Sequence, residues 1–450
     1  MDAAVGFLSA LFWGLLTLSV LVFIHEGGHF LAARACGVRV TEFFLGLPCS
    51  KNIHRVSKRI GTKFGVTPIL LGGYAAVSGM EDAQTPCAGA VLSAVHRHGT
   101  VSTAQLAAEL GESEEDVQEA CAMLVGWGSL ACAYEPDEDR RYYPASFASV
   151  PRDAAGRTLF DGRRFDREHA TAEGEPWEPT MGERAFLEQE RAATYAGKGF
   201  WSRALSLVAS ILMYVVCGML LIMSVYSVIG VTVAVDTNVI GAVAEGSPAQ
   251  EAGIAAGDAI TSVDGEACGS WTDILAALDA TERTEDIPVT FVHDGEERAS
   301  SITPAEDGTI GIEVSRETVR LNPVDSARVS VAYVAQTASG VAQLLVPSRT
   351  MEVLDNSTSV VGISAMAAEA ASAGPSTYLA FAGLISLSLG FMNLLPIPPL
   401  DGGKLLIEAI QAVSRRRVPM RVQTAISYVG VALFGLLFIY MLRADILRLL

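Results

Sequence analysis

Five consecutive residues, His25-Glu26-Gly27-Gly28-His29, have the types and spacing needed for metal-dependent hydrolysis. On a helix the two histidines are four positions apart, so both imidazoles leave one face and can grip one ion. Glu26 then supplies a carboxylate able to take a proton from a water on that ion. The surroundings add weight, since Leu18–Ile24 before the motif and Phe30–Ala33 after it are apolar apart from Ser19. Ionisable side chains in a membrane-length segment are costly and mark function by default. The plainer alternative is a pair of polar residues closing off a core helix.

Two histidines do not complete a catalytic zinc, which wants a third protein ligand and an open position for water. The best candidate is Asp401, within Asn393-Leu-Leu-Pro-Ile-Pro-Pro-Leu-Asp-Gly-Gly403. The prolines remove amide donors and forbid a continuous helix, and such irregular backbone is tolerated at membrane depth only inside protein or around a wet cavity. Gly402 and Gly403 permit close backbone approach. A proline-kinked helix end with a solvated aspartate remains the alternative.

The elements that must bring these groups together are membrane spans. The 450 residues are 50% hydrophobic, too greasy for an ordinary soluble protein. Spans are predicted at 5–24, 204–231, 377–395 and 424–442, each near the ~20 residues that cross a bilayer. Basic residues follow the first span (Arg34, Arg39, Lys51, Arg55, Lys58, Arg59, Lys63) and lie between the third and fourth (Lys404, Arg415, Arg416, Arg417, Arg421). Both termini are therefore expected outside, with 34–203 and 396–423 cytoplasmic. Arg443 and Arg448 pull the other way. Residues 327–346 carry Arg328, Gln336, Thr337, Ser339 and Gln343 and fit an amphipathic surface helix better than a fifth span. Parity matters here, because a fifth crossing would displace Asp401 by up to ~30 Å from the histidines. The net charge of −18 disfavours nucleic acid. Seven scattered cysteines without a CxxC pair imply neither a disulfide framework nor metal ligation. The first apolar run lacks a basic n-region, which argues against a signal peptide.

With these motifs in place, the chain resembles the site-2 protease family of intramembrane zinc metalloproteases, particularly the bacterial sigma-E-activating type. Gly61-Thr62 through Leu71-Gly72-Gly73-Tyr74 resembles the family's membrane-associated β-loop. Tyr195–Leu205 resembles the approach to the second core span, and Val361-Gly362-Ile363 with Asn393–Gly403 the second metal motif. The resemblance implies that His25, His29 and Asp401 hold Zn2+ and that Glu26 is the general base. It also implies that Asn393 handles substrate. Departures stand at Ser210–Tyr214, where a Gly-Pro-x-x-Asn pattern is common, at Ser388 in place of asparagine, and at Lys404 in place of histidine.

A helical substrate is shielded from attack and must be extended. An exposed strand could do this by main-chain pairing, and 64–71 followed by Gly72, Gly73 and Tyr74 suits that role. The expected fold is thus a polytopic α-helical membrane protein of four spans with a β-loop, one extracytoplasmic PDZ domain and an inserted cytoplasmic winged-helix-like domain. Its segments are 1–36 (first span), 37–87 (β-loop), 88–145 (winged-helix-like), 146–200 (linker and approach helix), 201–231 (second span), 236–316 (PDZ), 317–376 (amphipathic helix and connector), 377–410 (third span) and 424–450 (fourth). The PDZ reading rests on Gly246-Ser-Pro-Ala249, Ala252-Gly-Ile254, Gly257-Asp-Ala-Ile260 and Val263-Asp-Gly265. In the insertion, 91–97, 102–110 and 113–124 read as helices, 140–144 as a wing strand and 150–190 as a linker. The second helix of the pair carries Glu114, Glu115, Asp116 and Glu119, which favours a protein partner, not yet identifiable, over DNA.

The function expected is intramembrane cleavage of single-pass membrane proteins, such as a shortened anti-sigma factor or remnant signal peptides, in the bacterial cell membrane, with an extended peptide or C-terminal tail at the PDZ domain. The alternative is a non-catalytic scaffold. The other histidines (His54, His96, His98, His169, His293) read as surface residues.

Overall fold

An uninterrupted apolar run must satisfy its backbone internally, and it does so as one long helix, α1 (Asp2–Ala35). This helix continues past Ile24 through the whole His-Glu-Gly-Gly-His motif. It ends where Gly37 turns left-handed (φ +70°) and the Val38 amide reaches back to the Ala33 carbonyl. The structure, a computed structural model, describes residues 2–49, 51–80, 85–281, 286–305, 308–355, 357–416 and 418–449. Arg417, counted above among the basic residues, lies outside them. Among the described residues four helices are long and apolar enough to cross a membrane: Val5–Ala35, Phe200–Ile229, Pro375–Asn393 and Arg421–Arg443. The chain divides into two compact units, 1–222 with 329–450, and 223–328.

In the first unit α1 is followed by β1 (Val40–Leu45), β2 (Ile53–Val56), β3 (Lys63–Val66) and β4 (Gly73–Val77), in the sheet order β2-β3-β1-β4. The pairing strand expected at 64–71 is corrected by this order. Its first residues form an interior strand, and 67–72 is a turn bound to α1 through Ser19, which donates to the Leu70 carbonyl at 2.6 Å. The edge beside α1 is β4. Gly72 (φ +86°) and Gly73 bring it there, since a Cβ on either would come within 3.1 Å of Val22 and 3.3 Å of the Phe23 ring of α1 respectively.

The insertion contains α2 (Ala88–His98), β5 (Thr100–Ser102), α3 (Thr103–Leu110), α4 (Glu114–Gly126), β6 (Leu130–Ala133) and β7 (Ser146–Ser149), with sheet order β5-β7-β6. Ser102 and Ser113 cap the starts of α3 and α4. Val91, Leu92, Leu106, Val117, Leu124 and Phe147 are fully buried, each contributing about 1.5–3 kcal/mol.

Three readings of this region need correction. The strand expected at 140–144 falls at 146–149 instead. Asp139 holds Arg141, Glu138 accepts the Ala145 amide, and it is Phe147 that reaches the core. Residues 150–190 are not a linker. Arg152 is fully buried, and α5 (Glu183–Ala192) packs Phe186 into the insertion's core. His96 is not a surface residue either; it is fully buried, with its two ring nitrogens bonded to the Leu92 carbonyl and Arg152.

The second span, α6 (Phe200–Ser224), closes with a π turn at Val225–Ile229 and a left-handed Gly230, so Val231 already belongs to a strand. The second unit holds β8 (Val231–Ala234), β9 (Ile240–Val243), α7 (Pro248–Glu251), β10 (Ala259–Val263), β11 (Glu266–Ala267), α8 (Trp271–Ala280), β12 (Ile287–His293), β13 (Glu296–Ile302), β14 (Ile312–Val314) and β15 (Arg316–Val319). Its sheets are β11-β10-β12-β13, β14-β9 and β15-β8, around a core that includes Ile240, Ile260, Ile274 and Phe291.

The remaining helices are α9 (Pro323–Ala342), α10 (Thr350–Asp355), α11 (Val360–Ser372), α12 (Pro375–Asn393), α13 (Asp401–Ser414) and α14 (Met420–Leu449). Helix α9 is not among the four candidate spans. The apolar helix α11 was not foreseen within the connector. It packs along α1, with Ser364 against Gly14, and its first turn is held by Asp445, which accepts the Ser359 amide at 2.7 Å. Val361-Gly362-Ile363 therefore lies on α11 beside Asp445, not with the second metal motif.

Candidate metal centre

Helix α1 presents His25 and His29 one turn apart, both buried. Facing them is Asp401, the first residue of α13, where the helix dipole favours a carboxylate. The chain reaches it by leaving α12 at Asn393 and turning through Pro396, Pro398 and Pro399. Gly402 and Gly403 sit so close to the backbone of Leu394 and Pro398 that a Cβ on either would overlap it. One oxygen of Asp401, Oδ2, lies 3.1 Å from His25 Nε2 and 3.1 Å from His29 Nε2. These three residues are the one convergent set of His, Cys, Asp or Glu donors among the described residues. Two imidazole nitrogens and one carboxylate oxygen suit zinc. Tetrahedral arms of about 2.0–2.2 Å place neighbouring ligand atoms roughly 3.3 Å apart and leave a fourth position for water.

Helix α6 backs the cluster. His29 Nδ1 donates to the Ser206 carbonyl at 2.8 Å, leaving the Nε2 lone pair free for an ion. Ser210 Oγ is 3.0 Å from Asp401 Oδ2. Tyr214 stacks on His25, with ring centroids 4.7 Å apart and planes 24° from parallel. The crossing of α1 and α6 depends on Gly28, because a Cβ there would come 2.5 Å from Ser210 Cα. Helix α13 is tied to α6 two turns beyond Asp401, where Glu408 pairs with Arg203 at 3.1 Å.

Glu26 is not part of the three-donor set. Its Oε2 accepts the Ala75 amide of β4 at 3.1 Å, which joins the carboxylate to the sheet edge. Lys404 Nζ is 3.5 Å from Asp401 Oδ1, so this departure from the family pattern places a cation beside the carboxylate.

The residues expected to position substrate make the following contacts. Tyr74 stacks on Phe44 and donates to Glu42 at 2.9 Å. Burial and the Glu42 carboxylate hold its phenol above the usual range. Gly72 and Gly73 dock the sheet on α1. Asn393 donates to the Leu389 carbonyl of its own helix. Sequence reasoning missed Ser206, Ser210 and Tyr214 as one set. The available signal was their spacing of four along an apolar span, which puts three polar groups on one face.

The family model of peptidase family M50 matches residues 13–437. The chain belongs to peptidase family M50. A putative zinc metalloprotease of Lactococcus lactis is 25% identical, covering 96% of this chain and 97% of that one. The zinc metalloprotease RasP of Bacillus licheniformis is 27% identical over 97% and 98%. The regulator of sigma-W protease RasP of Bacillus subtilis is 25% identical over 97% of each. The PDZ domain of an SdrC-like protein from Listeria monocytogenes is 26% identical, covering 19% of this chain and 93% of that one, at a TM-score of 0.16, too low to argue from. This M50 protein is a site-2-type metalloendopeptidase of the membrane, and its cofactor is zinc. A non-catalytic scaffold finds no support in these matches.

Proposed function

We propose that this M50 peptidase cuts within the transmembrane segment of single-pass membrane proteins, with His25, His29 and Asp401 holding zinc and Glu26 as general base. The observation that carries the reading is the meeting of both Nε2 atoms with Asp401 Oδ2, across nearly the whole chain, at the ends of apolar helices. Zinc, when bound, polarises the scissile carbonyl and makes water a nucleophile near neutral pH. Glu26 takes the water proton and passes it to the leaving amide nitrogen. Its bond to Ala75 keeps the carboxylate at the β4 edge, and a substrate strand pairing with 73–77 is thereby presented to the same carboxylate. The edge is short and ends in glycines, which suits a transient guest.

Charge placement supports both termini lying outside, with the β-loop and the insertion cytoplasmic. The second unit reads as a PDZ module on the outer side. A cavity of about 430 Å³ between Trp271, Leu275 and Leu278 of α8 and the Ile310–Ile312 stretch suits an extended tail. The insertion's three helices and three-stranded antiparallel sheet support a winged-helix reading. The acidic first turn of α4 repels phosphate and suits a protein partner. Substrates of this kind include an anti-sigma factor already shortened outside and remnant signal peptides.

The test is cleavage of a tagged single-pass protein by the purified, zinc-loaded enzyme and by Glu26→Gln. Loss of cleavage with zinc retained is expected. Equal cleavage by both would refute the role of Glu26.

A further inference from the structure

We propose that Tyr214 is the positioning residue of His25, its ring doing for that imidazole what the Ser206 carbonyl does for His29. The inference rests on the zinc-ligand reading above. Ser206, Ser210 and Tyr214 are four residues apart on α6, and each serves a different member of the cluster: Ser206 touches His29, Ser210 touches Asp401 and Tyr214 touches His25. Two of these contacts are hydrogen bonds. The third is not, because the buried Nδ1 of His25 has no hydrogen-bond partner among the described residues. A ligating imidazole whose second nitrogen bonds to nothing can swing about its Cβ–Cγ bond and carry Nε2 off the ion. The stacked Tyr214 ring removes that freedom by holding the imidazole plane.

The ring is itself fixed. Tyr214 is 2% exposed, and Ser386 of α12 donates to its backbone carbonyl at 2.7 Å. On the same helix, Gly390 leaves so little room that a Cβ would approach Tyr214 Cβ to 3.0 Å. Helix α12 thus presses Tyr214 onto His25 from behind. Tyrosine at this position is a working part of the metal site, supporting its ligand by shape where the other two are supported by hydrogen bonds.

The experiment is zinc titration of the full chain against a competing chelator, with the visible absorption of the cobalt-substituted protein as a second readout of ligand geometry. Tyr214→Phe keeps the stacked ring; Tyr214→Met fills the slot without one. Zinc affinity within about threefold of the native protein is expected for Tyr214→Phe. For Tyr214→Met the expected loss is roughly 10–100-fold, the size typical of a lost outer-shell contact, with an altered cobalt spectrum. Native affinity and spectrum in Tyr214→Met would overturn the proposal. So would an equal loss in both variants, since the hydroxyl and not the ring would then matter. His29→Ala separates the two levels. If it keeps native zinc affinity, the ligand set itself is wrong and the inference falls with it. If it loses zinc while Tyr214→Met does not, only the role of Tyr214 is refuted.

Discussion

Glu190 is the buried charge on which the seating of the insertion depends, and replacing it by glutamine makes a sharp test. Its Oε2 accepts from Arg39 Nη1 and from Ser129 Oγ, each at 2.6 Å; its Oε1 accepts from Arg152 Nη1 at 2.7 Å and Arg39 Nη2 at 3.3 Å. Arg39 leads into β1, Ser129 and Arg152 flank the insertion's sheet, and Glu190 comes from α5, so one carboxylate ties three parts of the chain together. Both guanidiniums, buried beside it, hold its acid well below the usual carboxylate range against the opposing effect of burial. Glu190→Gln keeps the shape and removes the charge, leaving two buried cations, of which Arg39 keeps the more distant Asp161 at 3.7 Å. Breaking a buried pair this way costs about 3–5 kcal/mol. Amide hydrogen exchange across 88–149 in the detergent-solubilised protein reads it directly. Protection there should fall by roughly two to four orders of magnitude, since 1.4 kcal/mol is a factor of ten. The combined change Arg39→Met, Arg152→Met and Glu190→Leu should recover most of the loss, because a well-packed apolar replacement of a buried ion cluster is close to neutral. Protection in Glu190→Gln within threefold of the native protein would refute the reasoning.

Two further outcomes follow from the same geometry. His96 is pushed down to about 3 by burial and by Arg152, against about 6.5 when unfolded, so the unfolded chain binds the extra proton in between. Stability of the insertion should therefore decline as pH falls below about 6.5, with Glu190 adding to the loss below about 4.3; His96→Gln, which keeps an acceptor for Arg152, should flatten the upper part of that decline in a pH series of exchange rates. Gly28→Val should weaken zinc binding at least tenfold by forcing α6 off α1 and moving the Ser206 carbonyl from His29, measured by chelator competition, whereas Gly6→Val, with nothing within 4 Å of its Cβ, should leave it unchanged.

The meeting of His25, His29 and Asp401 could be expected from the sequence because metal chemistry restricts residue types severely. Its support could not. A serine in an apolar helix is equally at home bonding its own helix, as Ser206 Oγ does with the Ser202 carbonyl, so the spacing of four marks a polar face without naming a partner on α1 or α13. The ion cluster was invisible for a related reason. Arg39 and Glu190 are 151 positions apart, and polar composition over 150–190 looks like a linker until the partners are known. Over 140–149, Arg-Tyr-Tyr looked more strand-like than Ser-Phe-Ala-Ser, but pairing with β5 and β6 outweighed local preference. Nothing near Tyr74 in the sequence announced its hydrogen-bond partner Glu42, 32 residues away on β1.

The most direct test of the account is the zinc content of the purified protein and of Asp401→Ala after dialysis against a weak chelator. The native chain should retain about one zinc and the variant essentially none while its helices stay folded. A variant that keeps a full equivalent of zinc would contradict the joining of α1 and α13 through one metal ion.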